Sequence, residues 1–353
     1  MSYQDGWAAI NLEMPARIPR TEYSAESYHW PLISRVTGLN VNEASPPEER
    51  AAASRAFRTA WNYDFAWSTL VSSGHLGPYA TDMGHAVYAA DGSDRRDQSE
   101  PAFASPEEVL AFDPLEQLPQ YEHGELVKQF NDHYRANCER VPDAVNMTGT
   151  YITVVSGLIA LLGWDMLLIT AGSDPEAFGQ FTNRYAEWVM RFYRALAESE
   201  TPLVMTHDDI VWTSGPFIHP DWYRTYVFPN YKRYFAPLKE AGKKIAYTSD
   251  GDYTLFIDDL AQAGVDGFVM EPMTDMALIA QRYGRTHFFV GNADTRILLH
   301  GSRDAIRAEV ERCMSIGREC PGFFMAVGNH IPANTPVENA LYYNECYESM
   351  MRR

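Results

Sequence analysis

From about residue 140 to the C-terminus, short runs rich in β-branched and aromatic residues alternate with long amphipathic stretches, and this alternation restricts the fold more than any other feature. The runs span residues 144–150, 203–209, 244–250, 267–271, 287–292 and 323–329. Most are apolar on both faces, as strands of a parallel sheet covered by helices must be. Repeated strand and helix alternation of this length predicts an α/β fold, the (β/α)8 TIM barrel. An earlier strand is expected around Tyr63-Asp64-Phe65.

Helix starts can be placed at four points. Ser45-Pro46-Pro47-Glu48, Ser105-Pro106-Glu107-Glu108 and Thr335-Pro336-Val337-Glu338 each set a hydroxyl at the N-cap, proline at the first helical position and a carboxylate three residues after the cap. A fourth helix opens at Ser173-Asp174-Pro175 and carries Phe178, Phe181, Tyr185, Trp188, Val189, Phe192 and Leu196 as one apolar stripe. Such a stripe predicts an outer helix packed on the sheet. The 353 residues are expected to form one domain, with residues 1–45 as an N-terminal extension. Residues 74–119, rich in Gly, Pro, Asp and Ser, read as a lid or rim inserted after the first strand.

A formal charge of −18 disfavours nucleic acid and anionic membrane surfaces as partners. The N-terminal stretch lacks a signal-peptide pattern and no uninterrupted apolar run approaches 18 residues, so a cytoplasmic location is expected. Cys138, Cys313, Cys320 and Cys346 form no CxxC pair and predict reduced thiols. Trp7, Tyr23, Tyr28 and Trp30 suit packing on their own barrel better than a homodimer contact, which stays open as the alternative.

Each apolar run stops in polar residues. These are Thr148 after the first run, then His207 and Asp209, Asp250 and Asp252, Glu271, Asn292, and Asn329 with His330. In a barrel, C-terminal strand ends converge on one mouth, so these residues become neighbours. Taken singly, any of them could cap a helix or shape a turn, and Asp250-Gly251-Asp252 is good turn chemistry. Six coincidences favour a site. Crowded carboxylates can share protons as general acids and bases or hold a metal with histidine. Asp250, Glu271, His207 and Asp209 are the catalytic candidates, and Thr148, Asp252, Asn292 and Asn329 the substrate-binding ones. His330, Asp250 and Glu271 are the candidate metal set, and no local ligand pair such as HExxH decides between metal and proton chemistry.

The order Thr206-His207-Asp208-Asp209, Gly215-Pro216-Phe217-Ile218-His219-Pro220, Ser249-Asp250-Gly251-Asp252, Glu271-Pro272 and Gly328-Asn329-His330-Ile331-Pro332 resembles the uroporphyrinogen decarboxylase superfamily, over roughly residues 140 to 350. That superfamily includes corrinoid-dependent methyltransferases, and the wording here looks closest to that branch. The resemblance implies a (β/α)8 barrel with its site at the mouth, a small-molecule substrate, and as cofactors zinc and a corrinoid carried by a partner protein. The thiol-methylating branch holds zinc through a His-x-Cys pair and a later Cys, where this chain has Thr248, Asp250 and Asn329. The leading expectation is methyl transfer between a small methylated compound and a corrinoid protein or other acceptor. The alternatives are a lyase that decarboxylates an acid held by Arg17, Arg20 or Arg296, and a barrel that binds ligand without catalysis.

Overall fold

In the computed structural model, which describes residues 1–81 and 102–353, strands β1 (Phe65–Ala66) and β2 (Val145–Asn146) pair in parallel. Strands β3 (Thr148–Thr150), β4 (Leu203–His207), β5 (Lys244–Ser249), β6 (Gly267–Met270), β7 (Phe288–Ala293) and β8 (Phe323–Val327) form a second parallel set in chain order. β2 and β3 are one run interrupted at Met147, so the two sets share a stave. The ring is completed by the segment around Arg20, which bridges both Met325 of β8 and Tyr63 just before β1. Met325 N donates to the Pro19 carbonyl (2.9 Å), Thr21 N to Met325 O (3.2 Å) and Asp64 N to Arg20 O (2.7 Å). The result is a (β/α)8 barrel in which part of the expected N-terminal extension serves as a stave. The runs expected as strands all appear, shifted or shortened at their ends by no more than two residues.

Alternation along the staves sends Phe65, Met147, Leu203, Met205, Ala246, Val269, Phe288, Val290, Phe324 and Ala326 into the barrel, where they form one buried cluster. Each large side chain so buried contributes about 1.5–3 kcal/mol. Ala9 and Ile10 of helix Tyr3–Ile10 join that cluster and plug the end opposite the mouth. Gly6 permits this approach, because a Cβ there would lie 2.4 Å from the Asp64 carbonyl oxygen.

The outer layer follows the expected stripe. Helix Pro175–Glu198 starts at Asp174, whose side chain accepts from Ala177 N (2.9 Å), and its seven stripe residues are buried. Ser105 caps helix Pro106–Ala111 as expected, accepting from Glu108 N (3.4 Å). Ser45 and Thr335 do not cap. Their helices begin at Pro47 and Val337, which moves the cap onto Pro46 and Pro336, residues without a side-chain oxygen. Helix Val155–Ser173 is long and apolar enough by composition to span a membrane, yet most of it is buried in the barrel's outer layer. Of the 74–119 excursion, residues 82–101, including the turn 91–97, lie outside the described residues. Its flanks are tied to helix Pro175–Glu198 by Trp188 Nε1 donating to Pro119 O (3.0 Å) and Arg184 Nη2 to Leu110 O (3.0 Å).

His29 holds two segments together. Its Nδ1 accepts from Leu32 N (3.4 Å) at the start of helix Trp30–Thr37, while Nε2 donates to the Thr335 carbonyl (2.9 Å). Burial pushes its pKa below the ordinary 6.5. The unfolded chain therefore takes up this proton first as pH falls, and stability present above 6.5 is lost below it. Urea unfolding from about pH 7 to pH 5 should show this loss, and His29→Asn, which keeps a capping oxygen, should flatten it. Equal slopes for the two proteins would exclude His29 as its source.

Candidate functional site

The inward alternation that fills the barrel continues past its last apolar layer. Leu203 and Met205 of β4 lead to His207, Ala246 of β5 leads to Thr248 and then Asp250, and Val269 of β6 leads to Glu271. His207, Thr248 and Asp250 line a cleft of about 460 Å³ with Tyr23, Ser249, Val269, Met270, Gly328, Asn329 and His330. A second cavity of about 340 Å³, bounded by Ser72, Tyr151 and Ser156 among others, shares His207 with it.

Asp209 Oδ1 lies 3.4 Å from His207 Nε2 and accepts the Asp250 amide at 2.9 Å. Glu271 accepts the Gly251 amide through Oε2 (2.7 Å) and Asn329 Nδ2 through Oε1 (2.6 Å). The same Asn329 nitrogen reaches Asp250 Oδ1 at 3.3 Å, so one amide links two carboxylates. Gly251 makes this turn with a φ of +80°, and a Cβ there would sit 2.5 Å from the Trp212 carbonyl oxygen; the position requires glycine. Asp250 is open to solvent at the mouth, yet the protein around it, then the charges of Asp209 and Glu271, push its carboxyl above the usual range. Burial, and secondarily His330, lower the His207 imidazole to about 3, which keeps it neutral. Tyr23 and Tyr151 pair through their hydroxyls, and Tyr151 lies against the His207 ring at 4.7 Å between centroids.

The chain between His207 and Asp209 turns the other way. Fully buried Asp208 accepts the amides of Val154 (3.0 Å), Val155 (3.1 Å) and Ser156, together with the Tyr231 hydroxyl. It anchors the start of helix Val155–Ser173. Burial pushes its pKa up to about 6 against the pull of these donors.

The structure brings His207, Asp209, Asp250, Glu271 and Asn329 together. Thr148 does not join them: it alternates with inward Met147 and is buried on the helix side of the wall. Asn292 is spent on the scaffold, its Nδ2 donating to Thr274 O (3.1 Å) and Glu271 O (3.2 Å) and its Oδ1 accepting from Arg312 (2.9 Å). Asp252 accepts from Thr254 N (3.0 Å) and shapes a turn. Among the described residues, the set with donor atoms within 4.8 Å of one another is His207, Asp209 and Asp250, which shares only Asp250 with the expected metal set. His330 instead bonds Ser24 through Nδ1 and meets Tyr23 edge-on at 5.2 Å. Tyr23 and Tyr151 were missed as site residues. Strand parity applied to Tyr151, four residues beyond inward Met147, would have found one of them.

Fold and site define a (β/α)8 barrel with its ionisable groups gathered at the C-terminal mouth. The uroporphyrinogen decarboxylase family model matches residues 80–349, and the chain belongs to that family. It is 28% identical over 171 residues to the uroporphyrinogen decarboxylase of Carboxydothermus hydrogenoformans, covering 48% of this chain and 47% of the relative. The corresponding enzyme of Thermus thermophilus is 29% identical over 177 residues, covering 50% of each. These alignments thus span about half the length of the curated relatives. A solved methyltransferase from Methanosarcina mazei shares the fold with a TM-score of 0.65 at 16% identity, over 97% of this chain and 96% of that one.

Proposed function

We propose that the chain is a methyltransferase moving a methyl group between a small methylated compound and a corrinoid carried by a partner protein. The observation that carries this reading is Asp250, with Asp209 and Glu271 gathered around its turn, on a cleft with no lysine or arginine among its described lining residues. A substrate with several carboxylates finds no cation among these described residues. Arg17 is bound to Asp64 (2.6 Å), Arg20 to Glu22 (2.8 Å) and Arg296 to Asp294 (2.6 Å). The lyase reading, which needs one of these cations free, is less well served. The Methanosarcina mazei structure, named a methyltransferase, supports the same choice.

Thr248, Asp250 and Asn329 do not supply the nitrogen and thiolates of a thiol-activating zinc set. By donor chemistry His207, Asp209 and Asp250 fit a divalent cation, one imidazole nitrogen and two carboxylate oxygens lying close together. A metal held by them would supply a Lewis acid beside the leaving heteroatom. The chain's own groups perform the remaining work. When no metal is bound there, Asp250, whose carboxyl is pushed upward by the surrounding protein and then by the charges of Asp209 and Glu271, is placed to give a proton to an ether oxygen as the methyl–oxygen bond breaks, the methyl passing to the acceptor and the electron pair staying on oxygen. Asn329 fixes the orientation of that carboxyl, and Asp209 holds its backbone.

Purified protein supplied with free cob(I)alamin and a panel of methyl ethers, thioethers and methylamines should consume the cob(I)alamin absorbance with at least one donor. For ether donors Asp250→Asn should slow this by about a hundredfold. Release of CO2 from carboxylic acids, with no methyl donor accepted, would establish the lyase instead.

A further inference from the structure

The cleft combines negative charge, aromatic rings and one hydroxyl without a partner among the described residues, and together they define what it holds. We propose that it binds an alkylated ammonium ion, whose charge holds the Asp250 carboxylate ionised on one side of the cleft, with Asp209 and Glu271 behind it and the rings of Tyr23 and His330 on another side. That this ion is the methyl donor rests on the methyl-transfer reading; that it binds does not.

The independent pointer to a ligand is Thr248. Its side chain is only 5% exposed and lines the cleft, and its Oγ1 has no hydrogen-bond partner among the described residues. A buried hydroxyl left unpaired costs about 1–3 kcal/mol unless something entering the cleft completes it. Thr248 is the register partner of His207, so this oxygen sits beside the carboxylate cluster and accepts from an N–H placed there. The ring walls give the second half of the recognition. Tyr23 and His330 meet edge-on at 5.2 Å, and Trp67 backs Tyr23 at 5.2 Å, leaving the phenol supported from behind as it borders the cleft. Aromatic faces attract alkylammonium groups, whose charge is spread over methyl surface. When a methyl group passes from such an ion to the corrinoid acceptor of the methyl-transfer reading, the carbon–nitrogen bond breaks as the bond to the acceptor forms, the electron pair stays on nitrogen and a neutral amine departs. Asp250 need not supply a proton to that donor.

Isothermal titration with trimethylammonium and tetramethylammonium, against the uncharged near-isostere tert-butanol and the anion pivalate, tests this directly. Saturable binding of the two cations, with neither control binding, is the expected result. Tyr23→Leu and Asp250→Asn should each weaken it about tenfold. Thr248→Val should weaken trimethylammonium, which has an N–H to donate, while raising Tm, because the hydroxyl it removes has no partner among the described residues. The rise in Tm guards against reading lost binding as lost folding. Binding of the neutral isostere as strongly as the cations, no saturable heat, or a stoichiometric divalent metal that excludes the ammonium would each overturn the proposal. Methyl transfer from ethers without ammonium binding would leave the reaction standing and remove this ligand. Ammonium binding without methyl transfer would do the reverse.

Discussion

Asp208→Ala is expected to remove about 3–5 kcal/mol of stability, although Asp208 takes no part in the chemistry assigned to its neighbours. Its carboxylate is fully buried and satisfies three successive backbone amides, those of Val154, Val155 and Ser156, and the Tyr231 hydroxyl. Alanine leaves these donors facing a void, and each unsatisfied one costs about 1–3 kcal/mol before relaxation. Asp208→Asn keeps an oxygen acceptor and should fall in between. Urea unfolding followed by circular dichroism gives the order; an alanine variant within about 1 kcal/mol of the parent would show that water replaces the carboxylate, contrary to its burial.

Arg20→Met should be comparably severe, at about 3–5 kcal/mol, for a different reason. The Arg20 guanidinium, fully buried, lies 4.4 Å from the Trp61 ring centroid and about as close to Tyr343 and Tyr347. Its partner Glu22 also accepts from Val327 N (2.9 Å) and the Tyr343 hydroxyl (2.9 Å). Burial already pushes the Glu22 carboxyl upward, with the Arg20 charge as the leading opposition. Methionine alone strands that carboxyl. The double variant Arg20→Met with Glu22→Gln removes the stranded charge and should recover most of the loss. A double-mutant cycle measures the difference, and simple additivity would deny the coupling.

The features legible in the sequence were those set by local pattern. Strand positions followed from apolar runs, and the outer stripe of helix Pro175–Glu198 from its spacing. The Arg20 stave was not legible, because Pro19-Arg20-Thr21 is short and polar and joins the wall only through long-range pairing. Among the strand ends, a polar residue after an apolar run marks the mouth without saying which face it takes. Thr148 and Met147 differ by one position and face opposite sides. His207 and His330 both come near the mouth, but which of them joins the carboxylates depends on where the loops after β4 and β8 turn. Thr248 gave least warning, since an unpaired hydroxyl has no sequence signature.

The Arg20 stave also bears on how the protein is made. The contact from Glu22 to Val327 spans 305 positions, and the ring cannot close until β8 is available. During synthesis, at about 5–20 residues per second, the open edges of the nascent sheet stay exposed for tens of seconds. Unpaired parallel strands are templates for association with other chains. Pairing between Arg20 and β8, rather than any local step, therefore decides when these open edges are covered.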